Sequence, residues 1–326
     1  MSQYAYRSIL KDEIAGFIKL RKSQGLRYLC GTVMRYLDTY LSEKNVSEKS
    51  LSPNIIDKWI ADCFSELNPN TVNGYIADYI QFAKYLNTIG VEAYLPVPSG
   101  LRQSYVPYIF SKEEILAIFN EADNIISNVN PEVELWFPML LRLLYGCGLR
   151  LSEALSLTFS DVDFDNGVLF IKNAKGNKDR YVPMDSGLTE TLKLYCDAIQ
   201  SQDQDRALLF QSSTGSRLSN SVALSWFRRI LSDAQIELLP VSSSAHSRTR
   251  NICLNCFRHT FAVTSLHMQY GENVGNYRIT PSLSTYLGHK NLAGTQKYLH
   301  MTAEISEDIH SETSAYSKGL FPEVPR

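Results

Sequence analysis

Between Leu86 and Phe110 the chain carries Gly90, Pro96, Pro98, Gly100 and Pro107. No helix or central strand accommodates that density of breakers, because glycine leaves the backbone unrestrained while proline locks φ and removes an amide donor. The stretch reads as a linker, and it divides the 326 residues into two domains of ordinary size, 1–105 and 106–326. On its N-terminal side, from Leu10 to Leu86, apolar residues recur at helical spacing. Tyr75, Tyr79, Phe82 and Leu86, for instance, follow at steps of four, three and four, which places them on one helix face. Ser52-Pro53-Asn54 and Asn68-Pro69-Asn70-Thr71 mark turns, the second offering Asn70 as an N-cap. The first domain is therefore expected to be a helical bundle with its aromatic stripe in the core.

After the linker the pattern predicts helices at 111–126, 132–145, 188–199, 219–239, 255–270 and 280–287. Residues 168–173 and 180–184 read as short strands flanking Lys175-Gly176-Asn177, a hairpin turn. The acidic tail, 303–326, is expected to add a helix up to about Tyr316. The fold class is thus mainly α: a helical first domain and a second, mixed α/β domain that is mostly helical with a small β-hairpin.

Hydrophobic residues make up 44% of the chain and no apolar run has the length a membrane crossing needs. The first residues lead straight into Lys11-Asp12-Glu13, without the apolar stretch of a secretory signal. Six scattered cysteines suit reduced thiols better than a disulfide framework. A cytoplasmic protein is the expectation. A net charge of -2 does not advertise a nucleic-acid ligand, but the local field matters more than the sum. Two clusters stand out, Lys19, Arg21, Lys22 and Arg27 near the start, and Arg248 and Arg250 later; each is either a solvated face or a DNA contact.

Metal-free phosphoryl transfer would need fixed cations on the non-bridging oxygens, an acid for the leaving oxygen and a nucleophile. Five segments of the second domain hold such groups. Gly146-Cys147-Gly148-Leu149-Arg150-Leu151-Ser152-Glu153 puts an arginine at a helix start, where its planar guanidinium suits a phosphate or equally a capping carboxylate. Lys175 sits at the hairpin tip, either solvated or presented to a leaving oxygen. Asn255-Cys256-Phe257-Arg258-His259 places a second arginine beside a histidine on a helix, His289 follows in Leu287-Gly288-His289, and Tyr298 comes nine positions later. A free phenol has a pKa of about 10, so the surrounding cations are expected to lower the cost of ionising Tyr298. Cys253 and Cys256 with His259 also invite a zinc or redox reading, set against a chance spacing in a core; no metal is expected. His267 and His300 read as packing or surface histidines.

In this order the five segments resemble the catalytic domain of the tyrosine recombinase, or phage integrase, family over roughly 110–302, in a compact Xer-like layout. The family pattern runs Gly-Leu-Arg-x-Ser-Glu, a hairpin Lys-Gly-x-Lys-x-Arg, His-x-x-Arg-His, Leu-Gly-His and a later tyrosine. The positions that match are Arg150 and Glu153, Lys175 with Gly176, Lys178 and Arg180, Arg258 and His259, His289, and Tyr298. The first domain is similar only by type to the small helical core-binding domain of such enzymes. The resemblance implies a site-specific recombinase that clamps duplex DNA and needs no cofactor. Tyr298 would form a 3′-phosphotyrosyl bond, Arg150 and Arg258 would hold the phosphate, Lys175 would protonate the 5′-oxygen, and His289 would hydrogen-bond the phosphate, with Glu153 and His259 in support. It also implies a tetramer on two DNA sites, with the segment beyond Ala303 docking on a neighbouring copy. Lys19, Arg21, Lys22, Arg27, Lys178, Arg180, Arg248 and Arg250 are the expected DNA contacts.

One position departs from the pattern. Asn255 stands where the first histidine belongs, and an amide donates a hydrogen bond but does not take up a proton near neutral pH. Help to the nucleophile is expected to be reduced, and Asn255→His is expected to raise the cleavage rate. Two other readings stay beside the recombinase: a DNA-binding relative that has lost catalysis, and a type IB topoisomerase.

Overall fold

The structure is a computed structural model, described over residues 4–26, 30–98, 100, 107–128, 130–174, 178–200, 207–236, 252–270, 281–288, 295 and 298. It divides into two compact units whose boundary falls at Tyr105/Val106.

The first unit is built from α1 (Lys11–Ser23), α2 (Gly31–Glu43), α3 (Pro53–Phe64) and α4 (Pro69–Thr88). Prolines open α3 and α4 at the first helical position, where the missing amide costs nothing. The cap of α4 is Asn68, two residues before the expected Asn70, and its side chain accepts from the Asn70 amide. Pro69 decides this, since it takes the first helical position and leaves the residue ahead of it to serve as cap. Tyr79, Phe82 and Leu86 are fully buried with Trp59, Leu37 and Ile14, and Tyr75 packs against Phe64. Each such apolar side chain removed from water contributes about 1.5–3 kcal/mol. The buried charge here is Asp38, whose carboxylate accepts the backbone amides of Arg7 and Ser8 at 3.0 and 2.8 Å and the Tyr4 hydroxyl at 3.1 Å.

The second unit contains α5 (Lys112–Asp123), α6 (Val133–Gly146), α7 (Leu151–Ala154), a sheet of β1 (Val162–Asp163), β2 (Val168–Ala174) and β3 (Lys178–Pro183), then α8 (Ser186–Gln200), α9 (Asn220–Asp233), α10 (Asn255–Tyr270) and α11 (Pro281–Tyr286). The sheet is antiparallel in the order β1-β2-β3, with Phe170 opposite Tyr181 and Ile171 opposite Arg180. The two-residue β1 strand carries too little sequence to be read as a strand. Residues 136–145 of α6 are all buried, as expected of a helix that is apolar all round; α5, α8 and α10 pack around it. A capping box at Ser111 and Glu114 starts α5. The Phe110 amide donates to Thr260 Oγ1 of α10 at 2.9 Å, tying the start of this unit to the helix that carries Arg258. The turn 175–177, the tail and its expected helix lie outside the described residues. Among the described residues no helix is long and apolar enough to cross a membrane.

Candidate active site

The site is assembled where the α6–α7 loop, β3, α10 and α11 meet. At Gly148 the backbone has φ of +58°, and a Cβ there would lie 2.5 Å from Phe261 Cδ1 of α10. Only glycine satisfies both conditions. The close approach lets the Gly148 carbonyl accept from Arg258 Nη1 at 2.7 Å, while Arg258 Nη2 donates to the Leu287 carbonyl. Leu287 follows α11, whose Tyr286 stacks on Phe261 with ring centroids 5.4 Å apart. Backbone oxygens at two chain turns therefore fix a buried guanidinium on α10.

Arg150 is the N-cap residue of α7. It has no side-chain acceptor with which to cap, so the helix start is satisfied by Glu153, whose Oε2 accepts the Arg150 amide at 3.0 Å. Glu153 Oε1 accepts from Arg150 Nη1 at 2.6 Å, and Arg150 Nη2 donates to the Gly288 carbonyl at 3.3 Å. Arg180, reaching in from β3, donates to both Glu153 oxygens at 3.1 and 2.8 Å and through Nε to the Tyr286 carbonyl at 2.8 Å. Burial alone would raise the Glu153 carboxyl; the Arg180 hydrogen bonds, the Arg150 amide and the two guanidinium charges outweigh it and hold the group down at about 2.

Arg258 is 4% exposed. Burial, reinforced by the like charge of Arg150, lowers its pKa to about 10, so it remains a cation at neutral pH. Tyr298 is 1% exposed, and its hydroxyl lies 2.8 Å from His259 Nδ1. The expected easing of phenol ionisation is only half met. Arg258 and Arg150 do pull downward, but burial prevails and the Tyr298 pKa rises to about 12.

The structure thus brings together Arg150, Glu153, Arg258, His259 and Tyr298 from the sequence reading. Arg180, expected as a DNA contact, is buried and occupied with Glu153 and Tyr286. Its place on an inward-facing strand position, two residues from buried Val182, explains the difference. Asn255 is the exposed first residue of α10. Lys19 and Lys22 are exposed on α1, and the Arg21 guanidinium lies 5.6 Å from the Phe17 ring centroid. Lys175, His289, Arg27, Arg248, Arg250, His300 and the Lys178 side chain fall outside the described residues. Cys253 and Cys256 form no disulfide, their sulfurs lying 3.8 Å apart in hydrogen-bond contact, and His267 is buried. Sequence reasoning did not find the carbonyls of Gly148, Leu287 and Gly288 as the arginine holders, because backbone acceptors leave no mark in residue identity. The glycines at 148 and 288 were the available signal.

The family model for the phage integrase family matches residues 110–304, more than half of the chain and all of the described site. The chain belongs to the phage integrase family. With that membership goes the activity of a site-specific tyrosine recombinase. A putative integrase/recombinase of Sinorhizobium fredii is 33% identical over 70% of this chain and 73% of its own length. The tyrosine recombinase XerC of Oceanobacillus iheyensis is 24% identical over 95% of this chain and 90% of its own. Among solved structures, the XerH site-specific recombinase bound to a palindromic difH substrate in a post-cleavage complex shares the fold, with a TM-score of 0.60 and 19% identity over 92% of this chain and 85% of that one.

Proposed function

We propose that the pocket receives a scissile phosphate of duplex DNA and that Tyr298 is the nucleophile that breaks the strand. The observation that carries this reading is the charge of the site: guanidinium groups of Arg150, Arg180 and Arg258 gather around the carboxylate of Glu153, with the Tyr298 hydroxyl in the same field. Arg180 and Glu153 hold the frame. Arg150 is half-buried and held by Glu153 and the Gly288 carbonyl; Arg258 is held by the carbonyls of Gly148 and Leu287. Donors fixed in advance in a water-poor pocket stabilise a pentavalent phosphorane far more than mobile ones do.

The Tyr298 oxygen attacks phosphorus as the 5′-oxygen departs. One P–O bond forms and one breaks, the phenol loses a proton and the 5′-hydroxyl gains one. Lys175 supplies that proton and His289 donates to the phosphate, on the strength of their match to the family pattern. The phosphodiester energy is kept in the tyrosyl ester, so a 5′-hydroxyl from a partner strand reverses the step and rejoins the DNA. XerH, one of the structural neighbours, is itself seen bound to a palindromic difH substrate, and a DNA duplex carrying a specific site is the substrate proposed for this chain. Recombination of two such sites calls for four copies, with the segment beyond Ala303 docking between them. The exposed Lys19 and Lys22 of α1 contact phosphates of the same DNA, as Arg27, Arg248 and Arg250 do. Such contacts position the protein without reading bases. The six cysteines, scattered along the chain, suit work in the reducing cytoplasm.

The test is incubation with nicked DNA carrying the native site, so that the cleaved fragment diffuses away and any adduct is trapped. A covalent protein–DNA species is expected from the parent and none from Tyr298→Phe; an adduct that survives the substitution refutes the reading.

A further inference from the structure

The established reaction needs an acceptor for the nucleophile's proton, and this chain has an asparagine at the pattern's first histidine. We infer that His259 is that acceptor: its Nδ1 takes the Tyr298 proton as the phosphotyrosyl bond forms. The inference rests on the reading of Tyr298 as the nucleophile.

Three observations support it. The Nδ1 to hydroxyl distance is 2.8 Å, direct hydrogen-bond reach for proton transfer, and the ring centroids lie 5.6 Å apart. Burial outweighs the pull of Arg258 and Arg150 and pushes the Tyr298 pKa up to about 12, so the hydroxyl meets the phosphate with its proton still to lose. Asn255, one helical turn earlier on α10, cannot accept a proton. Of the two imidazoles in the pattern His-x-x-Arg-His, the chain retains the one that touches the nucleophile.

The step balances. As the Tyr298 oxygen bonds to phosphorus and the 5′-oxygen leaves, the phenolic proton moves to Nδ1, giving an imidazolium whose Nε2 already carried hydrogen. In the reverse step a 5′-hydroxyl attacks phosphorus, the tyrosyl oxygen departs, and Nδ1 returns the proton. The charged groups of the described residues that face the Tyr298 hydroxyl are Arg258, on the same helix as His259, and Arg150 ahead of α7. Both are guanidinium groups, which have no acceptor for a proton, so the acceptor in contact with the hydroxyl is the imidazole. Acid that protonates the His259 imidazole removes the acceptor, and the cleavage rate falls with it.

The experiment is single-turnover cleavage of nicked site DNA by the full chain across pH. His259→Asn places an amide near the Nδ1 position, keeping a hydrogen bond without an acceptor for a proton. It is expected to slow cleavage about 10²-fold at neutral pH, to leave DNA affinity unchanged, to lose the parent's acid-side fall, and to regain rate as pH rises. Asn255→His, by the same logic, is expected to change the rate by less than about threefold, because the proton already has a destination. A His259→Asn rate close to the parent's with the same pH profile overturns the inference, as does a rise near 10²-fold in Asn255→His. Should His259→Asn bind DNA poorly or fail to fold, ¹⁵N NMR of the histidine rings in the unsubstituted protein decides. Nδ1 is expected bare and Nε2 protonated, and an Nδ1–H tautomer at His259 overturns the inference. Loss of adduct in Tyr298→Phe with no slowing in His259→Asn would sink this inference alone; an adduct persisting in Tyr298→Phe would sink the nucleophile assignment beneath it.

Discussion

Among its described residues the second unit buries arginine in two places, and they are built on opposite terms. Arg142, on α6, meets Asp123 through two parallel hydrogen bonds of 2.7 Å and lies over the Phe119 ring. One cation faces one anion, joined by two parallel N–H···O bonds in fork geometry. Around Glu153, by contrast, one carboxylate serves Arg150 and Arg180 directly, and Arg258 nearby is held by the carbonyls of Gly148 and Leu287. Carbonyl dipoles fix a guanidinium without cancelling its charge. The first corner spends its charges on cohesion, while the second leaves positive charge in excess, at a cost in desolvation that lowers the Arg258 pKa.

The sharpest break of this comparison is Glu153→Ala. It leaves buried Arg180 without its carboxylate and is expected to lower stability by about 3–5 kcal/mol, read by urea unfolding. The same carboxylate should show in acid. Its pKa is depressed in the folded state to about 2, so its stabilisation is complete above the unfolded carboxyl value and is lost as pH falls from about 4.5 towards 2, in total about 3 kcal/mol. A melting temperature that ignores pH over that window would contradict the assignment.

Next comes the paired exchange Arg258→Met and Arg142→Met. The former is expected to cut single-turnover cleavage about 10²–10³-fold, the scale for removing one preorganised transition-state donor. The latter should leave the rate of the folded fraction unchanged, and equal losses in both would erase the distinction. Gly148→Ala is smaller, about 1–3 kcal/mol of stability, because the methyl must displace Phe261 and the backbone keeps a left-handed φ. If thermal unfolding shows no change, the loop is not pinned against α10 as described.

The helices of both units were legible because burial imposes a period. The α10 bounds predicted from sequence coincide with those observed, 255–270, and Arg150 was placed correctly at a helix start. The strand β1 was missed because two residues carry no period. The cap of α4 was misplaced by two because proline geometry competes with cap preference. In the site, residue types and order marked out Arg150, Arg258 and Tyr298, but their environment was not legible. That Arg180 turns inward, that burial lifts Tyr298 against its cations, and that His259 reaches the hydroxyl all depend on distances across elements far apart in sequence.

The claim on which the rest depends is that the Tyr298 oxygen becomes esterified to a DNA phosphate. Proteolysis of the trapped adduct followed by mass spectrometry of the nucleotide-bearing peptide reads this directly. The account predicts that the attached nucleotide maps to Tyr298, which tryptic cleavage after Lys297 leaves as the first residue of its peptide. Attachment at any other residue would contradict it.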